Sequence, residues 1–320
     1  MTNKETYKIL CETEGAAIPL FLQYWWMEAV CKGKHWDVAL VKNSENGKID
    51  AALPYLLGSR FGLRFVLQPQ LTQFNGPWFR QDVTRNENQR LEFEKSMVDQ
   101  LLKQLDGLRL SYFEQNFSPI VTNWLPFYWS GFSQTTRYTY RIPDISDTEV
   151  VFSHFDKGRR QKPICRLENR YSLVDDLTAE QFAQFHEDYW KSRGEKDLLS
   201  QDFIISIAKS AIVRDQGLLF GLKDEDDVLR AARFVVYDEN SAYSLLSALH
   251  PEHHENGTSP LLFWRLIQKL SGKTRAFDFE GSMNPGIEQS YRLYGAIQTP
   301  YFNITKCNNR IFDILLKFKK

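Results

Sequence analysis

One block of this 320-residue chain occurs twice, and that restricts the folds open to it. Residues 109–119 read RLSYFEQNFSP and residues 275–285 read RAFDFEGSMNP. Arg109, Phe113, Glu114 and Pro119 each have a counterpart 166 positions later, at Arg275, Phe279, Glu280 and Pro285. A glycine follows each block (Gly131, Gly295), then a Tyr-rich stretch that reads as a strand, YTYRI at 138–142 and YFNIT at 301–305. A repeat spanning about half a chain implies two copies of one domain. The length agrees, since it accommodates about two domains of ordinary size.

The same order of elements surrounds both blocks. In the first half, 36–42 and 49–57 read as a strand hairpin about the turn Asn43–Gly47. Residues 61–79 are strand-like but interrupted by Pro69, Gly76 and Pro77. A helix at 87–105 ends at Gly107, followed by strand 108–114, helical segment 118–129 and strand 136–142. In the second half, helices at 179–192 and 201–214 precede a hairpin of 216–223 and 228–238. Strand 241–249, helix 259–270, strand 275–281, helix 285–294 and strand 300–306 follow. Both return strands carry an Ala-Ala pair, Ala51-Ala52 and Ala231-Ala232. This alternation predicts an α/β (α+β) chain with helices packed on a mixed sheet. The boundary is expected near Pro143–Thr148, giving domains 1–147 and 148–320, with the basic segment 152–172 opening the second.

Composition narrows the function classes. Forty basic residues balance 40 acidic ones, so the basic excess usual in nucleic-acid binders is absent. The N-terminal MTNKETYKIL lacks an apolar signal core, and no apolar run is long enough to span a bilayer. Cys11, Cys31, Cys165 and Cys307 are scattered with no CxxC, as expected of a reduced, cytoplasmic protein without a disulfide framework or zinc knuckle.

Several strings resemble the GNAT/Fem-like acyltransferase group, in which two GNAT-like domains are joined in tandem. They are YWWMEAV (24–30), LQPQLTQFNGPWF (67–79), YTYRIPDIS (138–146), FSHFDKGRRQ (152–161), NGTSPLLFWRLI (256–267), FDFEGSMNPGIEQSYRLYGA (277–296) and YFNIT (301–305). The resemblance implies two tandem GNAT-like domains, each a mixed twisted sheet with helices on both faces. It implies transfer of an acyl group to an amine. The donor would be an acyl-CoA or, as in peptidoglycan-bridge enzymes, an aminoacyl-tRNA; the acceptor would be a small molecule or a peptidoglycan-precursor-like amine. Two departures stand out: Pro163 follows the Arg159-Arg160 pair, and the Gly-rich nucleotide turn is reduced to Gly257.

Five groups of residues are candidates for chemistry. Alternation sets Asp278 and Glu280 on one strand face and Phe277 and Phe279 on the other, so either carboxylate could act as general base on an amine. The alternative is that Glu280 pairs with Arg233 or Arg292 to fix a turn. Gly281 allows close backbone approach, and Ser282 can donate a hydrogen bond. Asn256, Gly257, Thr258 and Ser259 could form a helix-start cradle for a CoA phosphate, or only a well-capped turn. The resemblance makes Tyr294 or Tyr291 a candidate acid to the leaving group, whereas their helical spacing also suits core positions. Arg159 and Arg160 could hold an anionic substrate, or line a solvated face. Gln70, Thr72 and Gln73 belong to a polar stretch that the resemblance places at an inter-domain cleft; it could equally be a hydrogen-bonded turn. HPEHHE at 250–255 matches no zinc spacing, so no metal site is expected. A tandem scaffold that binds without catalysing is the rival reading, and the zero net charge disfavours tRNA.

Overall fold

The computed structural model describes residues 1–252, 255, 257–281 and 283–309. It opens with α1 (Asn3–Thr13), whose N-cap Thr2 and Glu5 form a reciprocal capping box, and α2 (Tyr24–Val30). Next come β1 (His35–Lys42), β2 (Ile49–Arg60), β3 (Leu63–Leu67) and β4 (Trp78–Phe79). Helix α3 (Glu87–Asp106), capped by Asn86, is followed by β5 (Tyr112–Asn116), α4 (Leu125–Trp129) and β6 (Ser133–Ile142). The middle of the chain forms α5 (Thr148–Ser153), a π-helical turn at Lys157–Gln161, α6 (Lys162–Leu167) and β7 (Ser172–Val174). Two helices, α7 (Ala179–Ser192) and α8 (Gln201–Ile212), lead into β8 (Gly217–Lys223), β9 (Leu229–Tyr237) and β10 (Ser241–Leu249). The last elements are α9 (Thr258–Leu270), β11 (Ala276–Asp278), α10 (Pro285–Arg292) and β12 (Ile297–Cys307).

The chain divides into two compact units, Met1–Arg137 with the residues from Pro300 on, and Tyr138–Thr299. In the first, β1, β2 and β3 are antiparallel neighbours, β3 runs parallel to β5, and β12 is antiparallel to β5. In the second, β7, β8, β9 and β10 are antiparallel, β10 runs parallel to β11, and β6 is antiparallel to β11. Apart from β7, which extends the second sheet by one strand, the order is the same in both, with one exchange. The strand that follows the first copy completes the second unit, and the strand that follows the second copy completes the first. The units are therefore not the segments 1–147 and 148–320 expected from element order. The physical reason is pairing: Tyr112–Asn116 take their antiparallel partner from Asn303–Cys307, while Phe277 and Asp278 take theirs from Ile142 and Arg141.

Each unit has its own core. In the first, Met97, Val98, Leu101 and Leu105 of α3 pack on Val41, Ala51, Leu53 and Phe113. In the second, Leu261, Leu262, Leu266 and Ile267 of α9 pack on Ala231, Val235 and Phe277. The opposite face of β9 meets α7, where Phe182 lies 6.3 Å from Phe234, so helices cover both faces. Removal of such apolar faces from water is the main stabilising contribution in folds of this kind. The Ala-Ala pairs are fully buried, and small side chains there let a helix seat closely on the sheet. Segment 118–129 is helical only over Leu125–Trp129. No helix among the described residues is long and apolar enough to cross a membrane.

Candidate active site

In the second unit β10 and β11 pair only over Ser241–Tyr243 and Ala276–Asp278. A register shift between Ser244 and Leu246 bends β10 just where the pairing stops. Beyond Asp278 the chain stays with β6 instead: the Phe279 N–H donates to the Tyr140 carbonyl at 3.0 Å. Gly281 then passes so close to β6 that a Cβ there would lie 2.1 Å from the Tyr138 carbonyl oxygen. The close approach expected of this glycine is thus made to the protein's own backbone.

Asp278 is fully buried. Its Oδ1 accepts from the Thr139 hydroxyl at 2.5 Å and the Glu280 N–H at 2.8 Å, and Arg141 Nε stands 3.5 Å from Oδ2. Glu280 follows with φ of 62°, a left-handed conformation uncommon for a residue with a Cβ. Its Oε1 is covered from solvent and has no hydrogen-bond partner among the described residues, although the residue as a whole is only partly buried. Burial, and then the neighbouring Asp278, push its carboxyl well above the usual range. Among the described residues Glu280 makes no ion pair: Arg292 binds Glu288, and Arg233 binds serines. The alternative of a turn-fixing Glu280–Arg pair is therefore not what the structure holds.

The first copy shows the contrast. Glu114, the repeat partner of Glu280, accepts from the Tyr112 hydroxyl at 3.0 Å and Asn303 Nδ2 at 3.2 Å, with Arg137 3.7 Å away. The gap between β3 and β5 is filled by the chain itself. Gln68 Oε1 accepts from Asn116 N–H at 3.0 Å, Asn75 N–H donates to Asn116 O at 2.6 Å, and Asn116 Nδ2 donates to Gln73 O at 3.3 Å. Thr72 Oγ1 accepts from buried Trp26 Nε1 at 3.0 Å, and Gln70 Oε1 accepts from Lys34 at 3.2 Å. The stretch holding Gln70, Thr72 and Gln73 is thus an internally bonded turn of the first unit.

Tyr294 is 1% exposed, stacked on Phe279 at 5.0 Å and packed on Phe155 and Phe263; burial pushes its hydroxyl up to about 12. Tyr291 is partly buried, 5.2 Å from the Phe279 ring. Gly257 begins α9 with φ of 116°, and a Cβ there would sit 2.8 Å from Pro163 and 3.0 Å from Leu167. The turn is therefore packed beneath α6. Thr258 is 1% exposed, and Ser259 Oγ accepts from Arg233 at 3.1 Å. Arg159 is exposed. Arg160 is buried, 4.4 Å from the Tyr294 ring, and donates to the Ser290 carbonyl at 2.9 Å and hydroxyl at 2.8 Å, anchoring α10. Asn256, Ser282, His253 and His254 lie outside the described residues.

Sequence reasoning passed over several neighbours of the site. Thr139 and Arg141 arrive from the exchanged strand β6, which local pattern could not assign to this unit. Arg233 was weighed only as a partner for Glu280, yet strand alternation sets it among Ala231, Val235 and Tyr237 on the core face. His186, buried in α7, contacts Asp197 through Nδ1 at 2.7 Å and accepts from Trp190 Nε1 at 3.3 Å, tying α7 to the loop before α8.

Residues 159–288 match the model of the acetyltransferase (GNAT) domain family. Among solved structures the chain is similar to FemX, at 10% identity and TM-score 0.68, covering 94% of this chain and 96% of that one. It is also similar to the C-terminal domain of a putative lysylphosphatidylglycerol synthetase from Agrobacterium fabrum, at 11% identity and TM-score 0.60, covering 98% and 96%. A tandem GNAT protein from the clavulanic acid biosynthesis pathway matches at 12% identity and TM-score 0.51, covering 95% and 94%. No curated relative matches the chain significantly. At these identities the structural matches establish the fold alone. The chain has a GNAT-like fold, and its residues 159–288 match the acetyltransferase (GNAT) domain model.

Proposed function

We propose that the chain is an N-acyltransferase whose chemistry resides in the second unit, with Glu280 as general base. The observation that carries this reading is the Glu280 carboxyl: raised in pKa, unpartnered at Oε1, and set where β10 and β11 part. A carboxylate of raised pKa is a stronger base than an ordinary one and is better matched to an amine substrate. The amine nitrogen attacks the donor's acyl carbon and forms the C–N bond. Glu280 takes the proton released from nitrogen, and the bond to the donor's sulfur or oxygen breaks. Glu280 or Tyr291 returns a proton to that leaving atom. Asp278, fixed by Thr139 and Arg141, holds the Glu280 turn and keeps its carboxyl basic. Beyond Tyr243 the β10 edge on the β11 side is free of strand pairing among the described residues, which suits backbone N–H groups to the acyl oxygen.

The donor is an acyl-CoA in this reading, as a substrate, and the acceptor is a small-molecule or peptidoglycan-precursor-like amine. An aminoacyl-tRNA donor is the second reading. It is favoured by the exposed basic side chains Lys157, Arg159, Lys162, Arg166 and Arg170 along the π-helical turn and α6. A steep loss of donor binding with salt would support it, and a flat salt response would exclude it.

The test is Glu280→Gln, assayed with acyl-CoA and aminoacyl-tRNA against a panel of amines. Turnover should fall roughly a hundredfold or more, with the fold retained. Unchanged turnover would overturn the reading.

A further inference from the structure

Arg233 projects from the core face of β9 with its guanidinium covered, although the residue as a whole is partly exposed, and covering a cation is costly unless an anion accompanies it. The guanidinium cannot shed its proton to escape that cost. Its carbon stands 3.5 Å from the Phe263 ring centroid, and Nη1 and Nη2 donate to Ser244 Oγ and Ser259 Oγ, each at 3.1 Å. Nε is covered and has no hydrogen-bond partner among the described residues. Among the described residues no carboxylate makes an ion pair with it, and the ionisable groups that face it are Tyr291 and Tyr294.

Arg160, a buried arginine of this unit, shows what a structural role looks like. Its Nε is also covered without a partner among the described residues, but its other donors reach the carbonyls of Arg159 and Ser290 and the Ser290 hydroxyl and so secure α10. Arg233 secures no carbonyl. Its two partners are hydroxyls, and a serine that accepts from arginine keeps its own O–H free to donate. Arg233, Ser244 and Ser259 thus form a group rich in donors with no acceptor charge, held rigid by the Phe263 ring.

We propose that Arg233, Ser244 and Ser259 receive a phosphoryl oxyanion of the donor, entering where β10 and β11 part. This rests on the acyltransferase reading for the word donor; the oxyanion receptor itself does not. It relocates the anion-holding task from the turn at Gly257, which Pro163 and Leu167 cover, to a side chain on β9.

The test is calorimetric titration and thermal denaturation of the intact chain with inorganic pyrophosphate, CoA, and malonate, against sodium chloride at matched ionic strength. Wild type should bind pyrophosphate or CoA and melt higher with it. Binding by CoA alone would assign the phosphoryl group to a nucleotide donor, and binding by both to phosphate chemistry in general. Arg233→Met should melt at or above the wild-type temperature without ligand, since an uncompensated buried charge has been removed. It should bind roughly tenfold more weakly or worse. Ser244→Ala with Ser259→Ala gives the same readout should Arg233→Met fail to fold. Glu280→Gln should bind pyrophosphate as wild type does. Equal phosphoryl binding by wild type and Arg233→Met, binding of malonate only, or no phosphoryl binding by wild type would each overturn the inference. Arg233-dependent binding without acyl transfer to any amine would leave it standing and remove the acyltransferase reading instead.

Discussion

The backbone N–H of Glu280 donates to Asp278 Oδ1 at 2.8 Å, so one carboxylate shapes the turn that brings a second carboxyl beside it. The first is compensated by Thr139 and Arg141, and the second is left with a covered oxygen that no described residue partners. Like charges at such range cannot both ionise cheaply.

The pH dependence of stability follows from that pair. The Glu280 carboxyl is raised above its ordinary value of 4.5 in the folded state, so the folded chain holds a proton that the unfolded chain releases. Its contribution is complete below the ordinary value and is lost as pH rises through the raised one. Wild type should therefore lose stability toward alkaline pH relative to Glu280→Gln. Melting curves of both proteins across the pH range check this, and parallel curves would disprove it.

Asp278→Asn should act in two ways at once. Loss of the buried carboxylate leaves Arg141 without its anion, at a cost of about 1–3 kcal/mol given that Arg141 is partly exposed. It also removes the like charge that helps raise Glu280, so the loss of stability with rising pH should be smaller and should end at lower pH. Chemical denaturation across pH reads both effects.

Gly281→Ala should be strongly destabilising, by about 3 kcal/mol or more, because its Cβ would meet the Tyr138 carbonyl at 2.1 Å, a backbone group that cannot turn aside. Denaturant unfolding measures it. A mild effect would mean that β6 can shift away from Gly281.

Gly257→Ala should cost about 2 kcal/mol, from the left-handed φ of 116° and the contact with Pro163. If the turn serves packing and not ligand contact, CoA affinity should be unchanged in the folded variant. Titration calorimetry separates the two.

Thr72→Val removes the acceptor of the buried Trp26 indole N–H and should cost about 1–2 kcal/mol, with acyl transfer unaffected in the folded protein. Loss of activity at full stability would give this first-unit turn a part in ligand binding.

Much of the architecture was legible. The repeated block works as a signal because Phe113 and Phe279 are both core residues, 2% and 1% exposed, the first within β5 and the second just past the end of its counterpart β11. The exchange of β6 and β12 was not legible, since both are Tyr-bearing strands whose local pattern fits either edge. The equivalence of Glu114 and Glu280 was visible as well, but their divergence was not. It depends on Asn303 and Tyr112 reaching one and nothing reaching Oε1 of the other. Tyr291 and Tyr294 share a helical face in the sequence, and only packing separates the enclosed Tyr294 from the partly exposed Tyr291.

The exchange of closing strands bears on how the chain matures during synthesis. The first unit needs Asn303–Cys307 beside Tyr112–Asn116, so its sheet stays unfinished while nearly the whole chain is translated. The second unit has β6 in hand before its own β11 emerges. The half that is made first is therefore the half that closes last, and a ribosome stalled short of residue 303 would release a chain with an open strand edge on β5.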